Sequence, residues 1–194
     1  PYTTLFRSEI VVGENFTFGE ERQLGGRAGK VGCRARVVPH VDWAGLPISS
    51  TRIRAAVQAG DMPLAQAMLG RPFALAGTVV RGRAVGRTLG FPTANVRPAL
   101  PIRPAPGIYA ARLVLSDGPH PGAAFVPDPS DPAQAHFGAV VEIHVPGLAR
   151  DLYGHAVEIA FTRRLRGHVL FPDAAAASAQ IGRDVEAALA ADAE

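Results

Sequence analysis

The sequence predicts a mainly β protein, a small antiparallel barrel with a C-terminal helix, preceded by a shorter part that contains two helices. Downstream of Arg71-Pro72, short runs of alternating apolar residues are separated by glycines and prolines, which is typical of antiparallel strands joined by turns. After Asp173, apolar residues recur at helical spacing instead. Between Ser49 and Gly70, two pairs of helix start and stop signals follow each other.

The composition is that of a globular protein and excludes several classes of function. Hydrophobic residues make up 47% of the 194 residues, and the formal net charge is only +3, so nucleic-acid binding is not favoured. Cys33 is the only cysteine, which excludes an intramolecular disulfide and argues against a cysteine-built zinc site. No stretch approaches the roughly 20 apolar residues of a membrane span, and the N-terminus lacks the pattern of a signal peptide. We therefore expect a cytoplasmic protein that binds neither nucleic acid nor membrane, and its oligomeric state stays open.

The first part of the chain is expected to contain short strands. Residues 1–8 do not lead naturally into the strand-like residues after them, so we assign them no function and leave their origin open. Glu9–Val12 has the pattern of the end of a buried strand, and Arg34–Val38 that of another strand.

Two helices are expected next. Ser49-Ser50 can cap the first, and Gly60 is a suitable stop. Asp61 can cap the second, which Gly70 ends. Because a proline disfavours helical geometry in the residue before it, Arg71-Pro72 marks a boundary.

Extended segments with alternating apolar residues follow this boundary. They are Phe73–Arg81, Ile108–Leu115, Ala139–Val145 and Ala156–Thr162. In the third segment, Val141 and Ile143 face one side, and Glu142 and His144 share the other. The final helix is expected to begin after Asp173 and to lie across the barrel through a stripe of Ala177, Ile181, Val185 and Leu189.

The most informative stretch is the glycine-rich segment Gly82–Asn95. Its glycines permit tight turns and bring backbone amides close to an anion, and Arg83 adds positive charge. If the chain is extended, Thr93 and Asn95 share one face and offer a hydroxyl and an amide, which suits a magnesium–nucleotide site. On composition alone an ordinary glycine-rich hairpin is the favoured interpretation, because such matches are common by chance. The candidate phosphate-binding residues are Gly82, Gly86, Arg87, Gly90 and Thr93.

The segment Gly86–Asn95 closely resembles the signature of the riboflavin kinases, whose Gly-Phe-Pro-Thr-Ala-Asn core is present in full. The resemblance continues in the same order through Gly107–Tyr109, Val141–His144 and Asp151–Gly154, the last interpreted as structural, and covers nearly all of residues 72–194. It implies a Greek-key antiparallel β-barrel with a C-terminal helix. It also implies ATP-dependent phosphorylation of riboflavin to FMN.

The resemblance also implies roles for particular residues. In the riboflavin kinases the threonine and asparagine of the signature help hold the magnesium–nucleotide phosphates, which points to Thr93 and Asn95 as Mg²⁺ ligands. Glu142 matches the family's base, so Asn95 and Glu142 are the implied catalytic residues, with Glu142 taking the proton of the ribityl hydroxyl. On pattern alone Glu142 is an ordinary solvent-facing carboxylate. We interpret His144 as a packing neighbour and not as a metal ligand.

Two segments nearer the N-terminus, Val11–Gly19 and Ile48–Arg54, resemble late motifs of the FMN adenylyltransferase domain, an α/β nucleotidyltransferase that precedes the kinase in bacterial bifunctional FAD synthetases. In that family the second motif contacts ATP phosphates at a helix start, which suits hydroxyls, arginines and helix N-terminal amides. A capped helix with exposed arginines would explain the same residues. Gly25–Lys30 only mimics a phosphate loop. The implied nucleotide-binding residues of this segment are Ser49, Ser50, Thr51, Arg52 and Arg54.

The resemblance divides the chain into a partial FMN adenylyltransferase segment over residues 9–70 and a riboflavin kinase domain over residues 72–194. The histidine-bearing motif with which the adenylyltransferase family opens does not occur in this sequence. We therefore expect that half to be incomplete and inactive.

One segment of the kinase departs from the family. Riboflavin kinases usually carry an Asn, a Gly and an Arg-Pro-Thr-Phe run where this chain has Gly122–Pro132, with three prolines and two aspartates. We expect an irregular acidic loop, within residues 122–138, that weakens ligand binding. A flavin- or nucleotide-binding module that has lost catalysis is therefore the main alternative to an active kinase. A nucleic-acid-binding barrel would need aromatic residues interleaved with a basic face, and the 7% aromatic content argues against it.

Overall fold

The computed structural model describes residues 9–13, 34–82, 84–128, 130, 132, 134 and 140–193. Residues 1–8, Gly25–Lys30 and Arg83 lie outside the described residues, as do most of the motif Val11–Gly19 and parts of the loop expected within residues 122–138. The chain divides into two compact units, residues 1–48 and residues 49–194.

The described part of the first unit contains two small sheets. Its strands are β1 (Glu9–Gly13), β2 (Arg34–Val38), β3 (Asp42–Trp43) and β4 (Leu46–Pro47). β1 pairs in parallel with β2, and β3 pairs antiparallel with β4. Both predicted strands are present, but the predicted burial of the first is wrong, because Val11 is 61% exposed. A two-stranded ribbon covers little of its own faces, whereas parallel strands are normally buried between helices. The assignment of residues 9–70 to an α/β nucleotidyltransferase stays a prediction.

Six strands of the second unit close into an antiparallel barrel. They are β5 (Phe73–Val80), β6 (Ala94–Pro98), β7 (Gly107–Leu115), β8 (Gly118–Val126), β9 (Val141–His144) and β10 (Ala156–Arg166). Around the barrel they follow the order β10-β5-β6-β9-β8-β7. β7, β8 and β9 are neighbours in sequence and in space, and β10 returns to lie beside β7, which is a Greek key. The predicted Greek-key antiparallel barrel is therefore confirmed.

Alternate residues of these strands fill the barrel interior. Tyr109, Leu113, Ile143, Ile159 and Phe161 are all fully buried. The rings of Tyr109 and Phe161 meet edge to face, with centroids 5.4 Å apart and planes at 85°, a favourable arrangement for aromatic pairs. In β9, the predicted face with Val141 and Ile143 is the one that lies inside the barrel.

Strands β6 and β8 are not predicted by the sequence pattern. Gly122–Val126, expected to lie in an irregular loop, is instead the end of strand β8. Pro119 and Pro121 weaken the strand pattern of β8. They are tolerated because β9 pairs only with residues 123–125 of β8. At both prolines β8 therefore has a single paired strand, β7, and its other side needs no N–H donor.

Helices surround the barrel. They are α1 (Ser50–Ala59), α2 (Met62–Leu69), α3 (Val85–Thr88) and α4 (Ala174–Ala193). The predicted caps of α1 are confirmed: the Ser49 hydroxyl accepts from the Arg52 N–H at 3.2 Å, and Gly60 ends the helix at a φ of 79°. No helix among the described residues combines the length and the apolar character needed to cross a bilayer.

The helix pair α1–α2 belongs to the same compact unit as the barrel. The backbone N–H of Ala105 donates to the carbonyl of Val57 at 3.3 Å. Gly60 packs so closely that a Cβ atom there would lie 2.9 Å from the Tyr109 hydroxyl and 2.8 Å from the Arg164 side chain. The boundary between the two compact units therefore lies at residues 48–49 and not at residues 70–72. The assignment of residues 9–70 and 72–194 to two different protein families stays a prediction.

The C-terminal helix α4 lies against β7, β8 and β10. Asp173 caps it, as predicted, by accepting from a backbone N–H in the first turn at 2.7 Å. The predicted apolar stripe is confirmed at Val185, which is buried, and wrong at Leu189, which is 37% exposed. Asp184, outside the predicted stripe, is buried instead. The helix is rotated relative to the predicted face because Asp184 pairs with Arg166 of the barrel.

We predict that α2 stabilises the barrel. Met62 is fully buried in α2, which lies against β5 and β10. Met62→Ala should lower the free energy of unfolding of the barrel by about 2–5 kcal/mol through a cavity. Urea unfolding followed by far-UV circular dichroism measures this loss. Leu64→Ala, in the same helix at a position 36% exposed, is the control and should cost clearly less. Equal losses in the two variants would contradict this packing of α2.

A second prediction concerns Tyr109, whose hydroxyl donates to the Ala105 carbonyl at 2.5 Å. Burial raises the pKa of Tyr109 to about 12, and Arg164 acts in the opposite direction. A tyrosine has a pKa of about 10 in an unfolded chain, so this contribution to stability is present below about pH 10 and is lost as the pH rises through about 12. Unfolding measured at intervals across this range should show a steeper decline in the unchanged protein than in Tyr109→Phe.

Candidate functional site

The glycine-rich segment folds into a tight loop with the single turn α3 at its centre. The Phe91 N–H donates to the Gly86 carbonyl at 2.7 Å and closes the loop. Gly90 has a φ of 87°, which other residues rarely adopt. Gly82 packs directly on the Asn95 amide, so that a side chain at position 82 would collide with it. These glycines are thus required by the loop's shape, and phosphate binding by Gly82, Gly86 and Gly90 stays a prediction.

Three predicted site residues meet where β6 and β9 pair. Asn95 lies directly opposite Glu142 in the register, and such partners project from the same face of a sheet. The Thr93 hydroxyl donates to a Glu142 carboxylate oxygen at 3.4 Å, a long hydrogen bond. Asn95 is only 9% exposed, and Thr93 and Glu142 are half-buried. The structure therefore brings the predicted catalytic pair together with the predicted metal-ligating hydroxyl.

One cavity opens beside these three residues and has an aromatic wall. We call it the aromatic cavity; its volume is about 310 Å³. Thr93, Asn95 and Glu142 line it together with apolar side chains such as Ile108 and Ile181. The rings that line it are Phe91, Phe125, His144, His168 and Phe171. An apolar enclosure with a few converging polar groups is typical of a small-molecule site.

A second cavity reaches Thr93 from another direction. We call it the arginine cavity; its volume is about 540 Å³, and Arg87, Arg150 and Tyr153 line it with several apolar residues. Tyr153 also contacts Arg81, whose guanidinium lies 5.3 Å from the ring centroid. Thr93 lines both cavities, and its hydroxyl donates to Glu142 on the side of the aromatic cavity.

The position of Arg150 is fixed by an ion pair on the surface. Its guanidinium lies 2.6 Å from Asp117 in the turn between β7 and β8. The hydrogen bonds from Arg150 and then from His120 hold the pKa of Asp117 well below its usual range. Asp117 in turn raises the pKa of Arg150. The arrangement directs Arg150 to the rim of the arginine cavity.

The segment Asp151–Gly154, interpreted from the sequence as structural, also contributes to a cavity wall, and its role stays a prediction. The structure puts Asp151, Leu152 and Tyr153 on the wall of the arginine cavity. In the sequence, only the resemblance of this segment to a family motif marked it as notable. Nothing in the sequence indicated that it would line the same cavity as Thr93. Only barrel closure brings residues so far apart in sequence to one cavity.

A buried ion pair joins the barrel to α4 at the edge of the aromatic cavity. Arg166 donates to both carboxylate oxygens of Asp184, at 2.9 and 2.5 Å. Gln180 donates to the same carboxylate at 2.9 Å, and Arg166 lies over the ring of Phe171 at 5.9 Å. A bidentate pair of this kind fixes both geometry and register. No pattern in the sequence indicated it.

His144 packs as a neighbour of the site, in agreement with the prediction from the sequence. Its Nδ1 donates to the Pro92 carbonyl at 2.8 Å, since a carbonyl can only accept. Its ring meets Phe91 edge to face at 5.4 Å. These contacts hold the end of the glycine-rich loop against β9.

The donor set beside Thr93 suits a hard cation. Thr93, Asn95 and Glu142 offer a hydroxyl, an amide and a carboxylate. Magnesium prefers oxygen ligands and keeps water and phosphate ligands of its own, so it needs few protein groups. No cluster of three or more His, Cys, Asp or Glu residues able to hold a metal occurs within the described ranges.

The residues predicted to bind nucleotide at the start of α1 lie apart from this site. Ser49 caps the helix, and Ser50, Thr51 and Arg54 are exposed while Arg52 is half-buried. They line neither the aromatic cavity nor the arginine cavity. Their role in nucleotide binding stays a prediction.

Comparison with known proteins gives a consistent result. Residues 69–191 match the sequence model of the flavokinase (riboflavin kinase) family. The bifunctional riboflavin kinase/FMN adenylyltransferase of Escherichia coli is 35% identical over 181 residues, which cover 90% of this chain and 57% of the relative. The corresponding protein of Bacillus subtilis is 30% identical over 187 residues, 92% of this chain and 58% of the relative. This chain thus spans a little over half the length of these curated relatives.

One solved structure is also similar. It is described as a macrolide-efflux protein from Streptococcus pneumoniae, has a TM-score of 0.75 and 28% sequence identity, and aligns with 91% of this chain and 58% of its own. The similarity supports the barrel architecture.

We predict that the Arg166–Asp184 pair stabilises the aromatic cavity. The Asp184 side chain is 7% exposed and that of Arg166 is 22% exposed. Asp184→Ala leaves a largely buried guanidinium without its partner and should lower the free energy of unfolding by about 3 kcal/mol. The matched control is Asp192→Ala, which breaks the more exposed pair with Arg112 and should cost about 1 kcal/mol or less. Chemical unfolding of both variants measures the two free energies. Equal losses of stability would contradict a special role for the Arg166–Asp184 pair.

Proposed function

Because this chain belongs to the riboflavin kinase family, we propose that its barrel transfers the γ-phosphate of ATP to the ribityl hydroxyl of riboflavin, with FMN as the product. One observation carries this proposal. Thr93 lines two cavities of different chemistry, and Asn95 and Glu142 lie beside it on the side of the aromatic cavity. A phosphoryl transfer needs such an arrangement, because the acceptor hydroxyl and the donor phosphate must approach each other from two sides.

The aromatic cavity is the proposed site of riboflavin. Its rings and aliphatic side chains suit the planar tricyclic ring of a flavin, which gains from apolar burial and from contact with aromatic groups. With the ring in this cavity, the ribityl chain extends toward Glu142. The alternation of β9 supports this arrangement, since Glu142 lies on the cavity side while Val141 and Ile143 are buried in the barrel.

The arginine cavity is the proposed site of ATP. Arg87 stands at the end of α3 and Arg150 at the cavity rim, and guanidinium groups bind phosphate oxygens well because their donors are paired and planar. Arg150 already shares its charge with Asp117, so Arg87 is the stronger candidate for phosphate contact.

Thr93, Asn95 and Glu142 divide the chemistry between them. Glu142 acts as the general base that takes the proton from the ribityl hydroxyl. Thr93 and Asn95 hold Mg²⁺ together with ATP phosphates, and the ion neutralises charge on the transferring group. The Thr93–Glu142 hydrogen bond keeps the base beside the phosphate side of the site.

The proposed substrates, riboflavin and ATP, also indicate where the protein acts and what it binds. We place the activity in the cytoplasm, where ATP is supplied, with small molecules as the only partners. A flavin-binding module without turnover is the second candidate. It is favoured by the sequence, since residues 127–134 contain no arginine, whereas riboflavin kinases usually carry an Arg-Pro-Thr-Phe run in this part of the chain.

We predict separate effects for two substitutions at this site. Glu142→Gln keeps the shape of the side chain but removes the base, so kcat should fall by roughly 100-fold or more with little change in nucleotide affinity. Thr93→Ala should weaken binding of the magnesium–ATP complex. FMN formation is followed by chromatography with riboflavin, ATP and Mg²⁺. The matched control is Glu158→Gln, an exposed glutamate on β10, which should leave the kinetics unchanged.

Two outcomes would go against the proposal. Unchanged kinetics in both Glu142→Gln and Thr93→Ala would remove these residues from the mechanism. An unsubstituted chain that binds riboflavin yet forms no FMN would establish the binding module instead.

A further inference from the structure

The aromatic cavity contains a pair of rings that takes no part in the proposed phosphoryl transfer itself. Phe125 lies on β8, and His168 lies between β10 and α4; their ring centroids are 5.5 Å apart and their planes are inclined by 32°. Both rings line the cavity. Phe125 lies directly opposite Glu142 in the register of β8 and β9, so this ring pair stands beside the proposed base on the same face of the sheet.

A buried amide holds the His168 ring. Gln134 is 3% exposed; its Oε1 accepts from the Asp128 N–H at 2.9 Å, and its Nε2 lies 3.2 Å from His168 Nδ1. A backbone N–H can only donate, which fixes the amide oxygen toward Asp128 and the NH₂ group toward the imidazole. His168 Nδ1 must therefore accept. The ring is neutral, with its proton on Nε2.

This geometry points to a function for Gln134, which lies in the part of the chain after β8 that departs from the riboflavin kinase pattern. We propose that Gln134 is a positioning residue that holds the neutral His168 ring beside Phe125, and that this ring pair is the surface on which the isoalloxazine ring of riboflavin packs. The inference rests on the proposed function and adds to it the residues that recognise the flavin ring. A neutral imidazole suits this role because covering it with an apolar ligand costs less desolvation than covering an imidazolium.

It follows that recognition of the flavin ring and transfer of the phosphoryl group depend on two different sets of residues. Phe125 and His168 contact the flavin ring, whereas Thr93, Asn95 and Glu142 contact the reacting atoms. A change at Gln134 should therefore alter how tightly the flavin ring binds, and it should leave the rate of phosphoryl transfer nearly unchanged once riboflavin saturates the site.

The binding test uses lumiflavin, which has the isoalloxazine ring but no ribityl chain, together with riboflavin. Gln134→Ala and Phe125→Leu should each weaken lumiflavin binding and raise the KM for riboflavin by roughly 5- to 10-fold, the range expected for loss of an aromatic contact. The kcat and the KM for ATP should stay within about twofold, since no phosphate contact changes. Gln66→Ala, an exposed glutamine on α2, is the matched control and should behave as the unchanged protein.

A spectroscopic test addresses the orientation of His168 directly. In the unchanged protein, ¹⁵N NMR of the imidazole should show the proton on Nε2 alone. Gln134→Glu keeps the length of the side chain but presents a carboxylate oxygen to Nδ1, which should draw a proton onto that nitrogen. A proton on Nδ1 in the unchanged protein would overturn the inference. This readout does not depend on catalysis, and it remains informative if Gln134→Ala unfolds.

The outcomes separate this inference from the proposed function. If the unchanged chain binds neither lumiflavin nor riboflavin, the proposed function fails. If it binds both and forms FMN, but Gln134→Ala and Phe125→Leu bind lumiflavin as tightly as the control, the proposed function stands and the ring-pair inference is wrong.

Discussion

The register of three adjacent strands is the constraint on which the site depends. In the pairing of β6 with β9 and of β9 with β8, Asn95, Glu142 and Phe125 stand side by side. Side chains alternate along a strand, so a slip of one residue would turn Glu142 into the barrel and bring Ile143 to the aromatic cavity. The fully buried Val141 and Ile143 oppose such a slip, because exposing either would cost hydrophobic burial. Packing in the barrel thus decides which groups reach the cavity.

The region of helix α4 supplies the wall of the aromatic cavity that the barrel strands do not provide. One face of the sheet carries the polar groups, while Phe171 and Ile181 of the opposite wall come from the region of α4. The Arg166–Asp184 pair joins these two sides. Buried ion pairs often add little net stability, since desolvation offsets their attraction, but they disfavour other arrangements of the groups they join. We infer that this pair chiefly defines how α4 is seated, and that cavity shape depends on it.

The sequence predicted those features that depend on local pattern. Alternation located β7, β9 and β10, and capping residues located α1, α2 and the start of α4. It missed β8, because Pro119 and Pro121 look like strand breakers unless the free side of the strand is known. It also misjudged Leu189, since the face of α4 is set by a partner on β10 that is distant in sequence. The cavities share this difficulty, because their walls come from segments that only barrel closure brings together. A motif of contiguous residues could be found without a structure, whereas the Gln134–His168 contact could not.

The glycine-rich loop shows why the two interpretations offered by its composition do not exclude each other. An ordinary hairpin and a phosphate loop both need glycine, and the structure gives local reasons for it: the positive φ of Gly90 and the contact of Gly82 with the Asn95 amide. The second contact also bears on the site. A side chain at position 82 would displace Asn95, which lies opposite Glu142 and lines the aromatic cavity. The absence of a Cβ atom at Gly82 thus keeps a polar side chain in place at the site, while Gly90 supplies the backbone turn. Glycines of one loop therefore serve both its backbone geometry and the chemistry of the site.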